Sequence, residues 1–215
     1  MFEELASNGS AWHVASSRSA LNIIAAVYGV WIPLGRILGV ERVGLLSKGH
    51  ASMALYTWLA ASGAIGVDEL KSYLSPRGRL QAHPEAGRVP GIVVSTGSLG
   101  QGLSIANGIV MASRIDGKPR EAAVILGDGE LDEGQVWEAA ATASAKRLEG
   151  VIAVIDRNLI QHTGRTEEVK PKEPLEDRWR SFGWHVVTVD NRLEDIAWAM
   201  VDRPRGRPLA VIVRQ

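Results

Sequence analysis

The sequence predicts an α/β fold built on a mainly parallel sheet, and three observations carry that expectation. Two continuous apolar runs, 122–126 and 151–155, have the length and composition of strands buried on both faces. Between them, residues 135–147 are rich in alanine and contain neither glycine nor proline, which favours a helix. Strand, helix, strand in that order is a crossover unit, almost always right-handed and joining parallel strands. Both strands then end on one edge of the sheet, where open α/β folds bind ligands.

The remaining elements follow in chain order. Residues 1–6 can form one helical turn that Asn8-Gly9-Ser10 would stop. Residues 19–31 read as a helix with Leu21, Ile24, Ala25 and Tyr28 on one face, and Pro33 is expected to close it. A short strand at 40–46 turns through Ser47-Lys48-Gly49-His50-Ala51 into a helix over 52–62. His50 therefore stands at a strand-to-helix turn behind a glycine, a better position for function than most, whereas Lys48 can simply be solvated. A second short helix, 67–74, begins with Asp68 and Glu69 near its positive end.

Residues 75–91 form a turn-rich stretch with three prolines and three glycines, and they carry His83. So long an irregular loop fits an active-site rim better than a linker. Gly97, Gly100 and Gly102 precede a helix of small residues over 103–113. A glycine-rich turn feeding a helix is in principle a cradle for an anion or cofactor, but the spacing is neither a Walker loop nor a dinucleotide fingerprint. After the central unit come a polar loop at 159–174 and a helix at 175–182 with Leu175, Trp179 and Phe182 inward. Gly183 is its expected C-cap, followed by a strand at 184–189, a helix at 193–200 and a last strand at 209–213.

Composition bounds the function. The 215 residues suffice for one large domain, read here as residues 1–215. The 24 basic and 24 acidic residues cancel, so no nucleic-acid partner is implied. There is no cysteine for a disulfide or thiolate metal site. No apolar stretch reaches the roughly 18 residues of a membrane span, and the acidic start is no signal peptide. A cytoplasmic protein is the expectation.

The chemistry concentrates at Gly127-Asp128-Gly129 and at Asn158, thirty positions beyond the aspartate. The crossover should bring Asp128 and Asn158 together, and their hard oxygen donors suit Mg²⁺ or Ca²⁺. Asp128, Glu130, Asp132 and Glu133 would repel a phosphate held directly, whereas a divalent cation between protein and phosphate resolves the conflict. Gly127 and Gly129 permit close approach of backbone to ligand. An ordinary acidic loop with a surface asparagine is the alternative that spacing alone leaves open.

These motifs resemble the transketolases. Gly-Asp-Gly followed about thirty residues later by Asn is similar to the thiamine-diphosphate fingerprint, and Gly127-Asp-Gly-Glu-Leu-Asp-Glu-Gly-Gln-Val-Trp-Glu-Ala139 resembles transketolase in particular. Ser-Lys-Gly-His-Ala at 47–51, Ala-His-Pro-Glu at 82–85 and Thr-Gly-Ser-Leu-Gly-Gln-Gly at 96–102 resemble further strings of that family. The resemblance runs from about residue 13 to 213 and covers only the family's N-terminal, diphosphate-binding domain. It implies a three-layer α/β/α fold of the thiamine-diphosphate-binding, PP type. It also implies metal ligation by Asp128, Asn158 and the backbone of Ile160, with Gly127 and Gly129 against the diphosphate.

By the same resemblance His50 reaches the diphosphate and the reacting centre, His83 helps bind the sugar, and Leu99 wedges beside the cofactor's rings. Gly97 and its neighbouring glycines let cofactor and dimer partner come close, and Glu133 corresponds to an acid linking the two active sites of a dimer. His13 is kept, but the glycines and proline that flank it in the family are Trp12, Val14 and Ala15 here. It reads equally as a substrate contact or a plain loop histidine. His162 and Thr163 stand where relatives usually have an apolar residue and Asp.

The implied reaction is two-carbon ketol transfer between phosphosugars, with thiamine diphosphate and Mg²⁺ (or Ca²⁺) as cofactors. The family's pyrimidine-binding and C-terminal domains are absent from these residues. The expected partner is therefore a C-terminal transketolase subunit supplying the pyrimidine-binding domain, in a homo- or hetero-oligomer, and the chain alone should be inactive. Two alternatives stay open: a subunit of another thiamine-diphosphate enzyme, and a non-catalytic structural or regulatory remnant that pairs with a partner.

Overall fold

The computed structural model describes residues 1–7 and 12–215, so the expected helix stop at 8–10 lies outside the described residues. Five strands form one sheet: β1 (Glu41–Leu46), β2 (Arg120–Gly127), β3 (Val151–Arg157), β6 (His185–Asp190) and β7 (Leu209–Arg214). Their spatial order is β1-β2-β3-β7-β6, and every neighbouring pair is parallel. Two-residue strands β4 (Ile160–Gln161) and β5 (Gly164–Arg165) make a separate antiparallel hairpin.

Helices cover both faces, which gives the three layers. One face holds α2 (Val14–Ser19), α3 (Leu21–Ile24), a π-helical segment Ala25–Trp31, α4 (Ile32–Ile37), α5 (Ser52–Ala61) and α10 (Leu193–Val201), with α1 (Phe2–Ala6) against α5. The other face holds α6 (Gln101–Asp116), α7 (Gly134–Ala145) and α9 (Leu175–Ser181), while α8 (Thr166–Val169) follows the small hairpin. Successive strand residues point to opposite faces. Ala123 and Ile125 of β2 therefore join the first core, and Ala122, Val124 and Leu126 join the second. All five are fully buried, and each fully buried Val, Leu or Ile contributes about 1.5–3 kcal/mol. That is why the strand reads as an unbroken apolar run.

The structure corrects several expectations. Pro33 does not close the helix of residues 19–31: helical backbone continues to Ile37, with Pro33 near the start of α4. A proline removes one donor from the ladder, and the wider turns of the π segment lie where the register changes. The buried stripe is Ala20, Ile23, Ile24, Val27 and Trp31, an ordinary helical spacing turned from the expected face, so Ile24 is buried while Leu21, Ala25 and Tyr28 are half-buried. Residues 67–72 are a 3₁₀ turn, and the helix expected at 103–113 spans 101–116, opening at Gly100 and closing at Gly117, both left-handed. The stretch 159–174 contains a hairpin and a helical turn instead of plain loop.

Candidate functional site

A cavity of about 670 Å³ opens at the carboxyl edge of β1, β2 and β3, within the size range of cofactor sites. It takes Lys48 and His50 from beyond β1, Gly127 to Glu130 from the end of β2 onward and Asn158 with Ile160 to His162 from beyond β3. His13, His83, Gly97 and Leu99 complete the expected set. The parallel register accounts for the convergence: Leu46 pairs with Ile125 and Gly127 with Asp156, so each chain leaves the sheet at nearly the same level. Glu133 is the exception among the expected site residues. It is exposed at the start of α7, outside the cavity wall, beside Gly100.

Asp128 is nearly inaccessible, and its two oxygens have different surroundings. Oδ2 accepts from Arg157 Nη1 at 3.0 Å and from the Leu159 N–H at 2.8 Å. Oδ1 accepts from the Gly129 N–H at 2.8 Å. Burial pushes the Asp128 carboxyl upward, against the pull of Arg157 and the Leu159 amide. Asn158 Oδ1 accepts from the Ile160 N–H at 3.0 Å, and its amide donates to Ser19 Oγ at 3.3 Å. The tight turn between them requires Leu159 at φ 64°, a left-handed conformation that costs an ordinary residue roughly 1–2 kcal/mol. Such strain persists where surrounding contacts over-determine it.

Four histidines line the same cavity. The rings of His13 and His50 lie 5.0 Å apart, and the other two are His83 and His162. Burial, reinforced by Lys48, His13 and His83, pushes His50 down to about 3, so it is neutral near pH 7. Burial also lowers His13, helped by His162, His83 and Lys48. His13 itself adopts φ 52°, left-handed, at a place without the glycines of the resembling motif. Gly97 sets His83: at φ 139°, a Cβ there would lie 3.0 Å from the His83 ring.

Two groups depart from their expected roles. Lys48 is not solvated but 1% exposed, and its Nζ donates to Asp156 Oδ2 at 2.5 Å and to the Ser16 carbonyl at 3.2 Å. Glu130, expected among acids repelling phosphate, turns inward and ties three loops together. Its carboxylate accepts from Ser47 Oγ at 2.5 Å, from the Gly100 N–H at 2.8 Å and from the Gly127 N–H at 3.0 Å. Arg157, not among the expected site residues, is fully buried against Asp128. Its position directly before Asn158 was the available signal, since a charge at the end of a buried strand needs a partner.

Among the described residues, no cluster of three or more His, Cys, Asp or Glu side chains is arranged to hold a metal, and no helix is long and apolar enough to cross a membrane. The oxygen donors on offer at this edge are the carboxylate of Asp128, the amide oxygen of Asn158 and main-chain carbonyls.

Comparison with known proteins identifies the family. The family model for the transketolase thiamine-diphosphate-binding domain matches residues 40–214. A 6-deoxy-6-sulfo-D-fructose transketolase subunit from Clostridium sp. (strain MSTE9) is 40% identical over 213 residues, covering 94% of this chain and 75% of that protein. An apulose-4-phosphate transketolase subunit from Phocaeicola vulgatus is 39% identical, covering 97% of this chain and 76% of that protein. Among solved structures, transketolase from Campylobacter jejuni superposes with a TM-score of 0.75 at 27% identity, over 81% of this chain and 29% of that one.

Proposed function

Because this chain belongs to the transketolase family, as its thiamine-diphosphate-binding domain, we propose that it is the cofactor-anchoring, cytoplasmic subunit of a two-chain enzyme. That enzyme transfers two-carbon ketol units between phosphosugars. The observation that carries this reading is the convergence of Asp128, Asn158 and Ile160 with His50 and His83 on one cavity. Both named relatives are described as subunits, which supports a separate chain for the pyrimidine-binding half.

The residues fit a divalent cation and a diphosphate. Asp128 Oδ1 accepts one hydrogen bond among the described residues and keeps a lone pair, as does Asn158 Oδ1. Two side-chain oxygens and the Ile160 carbonyl form a sparse set, which suits Mg²⁺ because that ion usually completes its octahedron with phosphate oxygens and water. Gly127 and Gly129 border the same space, and Leu99 offers an apolar wall for rings. Thiamine diphosphate, when bound, supplies the electron sink for the broken carbon–carbon bond. His50, neutral at pH 7, can exchange a proton with a donor hydroxyl, and His83 can donate to its carbonyl. His13 contacts substrate at the rim, and Glu133 communicates with a second site across an oligomer.

The test is ketol transfer at saturating thiamine diphosphate and Mg²⁺. The chain alone should be silent, because on this reading the acid–base group that activates the cofactor comes from the pyrimidine-binding subunit, a contribution of about 10²- to 10⁴-fold. Adding a chain that carries the pyrimidine-binding domain should restore turnover. Robust turnover by this chain alone overturns the two-chain reading. Silence in a complex that binds cofactor would favour a structural remnant instead.

A further inference from the structure

Arg157 places a fully buried guanidinium beside the proposed metal ligand, and no step of the proposed reaction uses it. Nη1 donates to Asp128 Oδ2 at 3.0 Å and to Thr166 Oγ1 at 2.7 Å. Nη2 donates to Glu167 Oε1 at 2.5 Å and to Glu173 Oε1 at 3.0 Å, and Nε donates to Glu173 Oε1 at 3.3 Å. Glu167 and Glu173 balance the charge without Asp128, so the contact with Asp128 is not needed for neutrality. Thr166, itself fully buried, aims Nη1 at the aspartate.

The consequence concerns which oxygens remain. Oδ2 already accepts two hydrogen bonds, from Arg157 and from the Leu159 amide, so both its in-plane lone pairs are used. Only Oδ1 is left for an ion. Ca²⁺ takes six to eight oxygens and readily accepts both atoms of one carboxylate, whereas Mg²⁺ demands near-ideal octahedral geometry. We propose that Arg157 is a positioning residue that sets ion preference: by occupying Asp128 Oδ2, it confines the carboxylate to one-oxygen coordination and favours Mg²⁺ over Ca²⁺. The proposal rests on the reading that Asp128 holds a divalent cation. The guanidinium charge repels both doubly charged ions alike, so the discriminating quantity is the ratio of their affinities, not either affinity alone.

The experiment measures half-saturating Mg²⁺ and Ca²⁺ for thiamine-diphosphate binding by near-UV circular dichroism, on the full chain with its partner subunit. Wild type should favour Mg²⁺. In Arg157→Met the preference should narrow by about tenfold, the lower end of effects seen when groups behind a metal ligand are removed. Thr166→Val keeps the charge but loosens its aim, and should shift the ratio in the same direction by less. It decides the matter if Arg157→Met does not fold. An unchanged ratio in a folded variant overturns the proposal while leaving the metal reading intact. Cofactor binding by wild type without any divalent ion would overturn both.

Discussion

At the scale of the residue, burial decides protonation. His50 sits among Lys48, His13 and His83, so a proton on it is opposed by desolvation first and by like charge second. Its folded value, about 3, lies below the ordinary 6.5. Between these values the unfolded chain binds a proton that the native chain refuses. His50 therefore contributes stability that is fully present above pH 6.5 and lost as pH falls toward 3. The slope approaches about 1.4 kcal/mol per pH unit. His50→Asn should flatten the fall in denaturant midpoint between pH 6.5 and 5, before most carboxylates titrate. Identical slopes for variant and wild type would show that the imidazole titrates normally.

The same scale separates two roles for Asp128. Asp128→Ala should abolish divalent-dependent cofactor binding in calorimetry. It should also lower stability, because Arg157 then loses one of its buried partners. Breaking such a pair costs about 3 kcal/mol, the low end for buried ion pairs, since Glu167 and Glu173 remain. Asp128 and Asn158 were legible in the sequence because a crossover unit fixes where its strand ends go. Glu130 was not, and Arg157 only as a charge at the end of a buried strand, because a charge reads as solvent-facing until its buried partners are known. Those partners lie on other segments: Thr166, Glu167 and Glu173 for Arg157, Ser47 and Gly100 for Glu130.

At the scale of the element, legibility followed periodicity. The strands β2 and β3 were plain because parallel strands covered on both faces read as unbroken apolar runs. The π segment at Ala25–Trp31 was hidden, since its composition differs little from that of an α-helix and only the ladder register distinguishes them. The β4–β5 hairpin was hidden because two-residue strands carry no alternation. Loop geometry gives a direct prediction at Gly97. Adding a methyl group at φ 139° both strains the backbone and presses on the His83 ring. Gly97→Ala should destabilise the chain by roughly 1–3 kcal/mol. It should also lower kcat/KM of the assembled enzyme by about 10²-fold, as a displacement near 1 Å can. Unchanged kcat/KM in a folded variant would remove His83 from the reaction.

At the scale of the whole molecule, the sheet is closed on both faces by helices, but α6 keeps one face outward. Gly108, Met111 and Ile115 fall three and four residues apart and so share a stripe, opposite the residues that pack on β2 and α7. Ile115 is 86% exposed, and a Cβ added at Gly108 would meet nothing. Gly100 and the exposed Glu133 lie at the end of this face nearest the cavity. On the proposed two-chain reading the cavity edge lies against another chain, and α6 begins at that edge. The pair Met111→Glu and Ile115→Glu should therefore dissociate the proposed oligomer in sedimentation velocity. Far-UV circular dichroism should not change, since Ile115 is 86% exposed and Met111, 38% exposed, lies outside the buried residues of α6. Ketol transfer by the mixed chains should fall with the oligomer, and divalent-dependent cofactor contacts made by Asp128 alone should not. An unaltered sedimentation coefficient in the double variant would place the interface elsewhere on the chain.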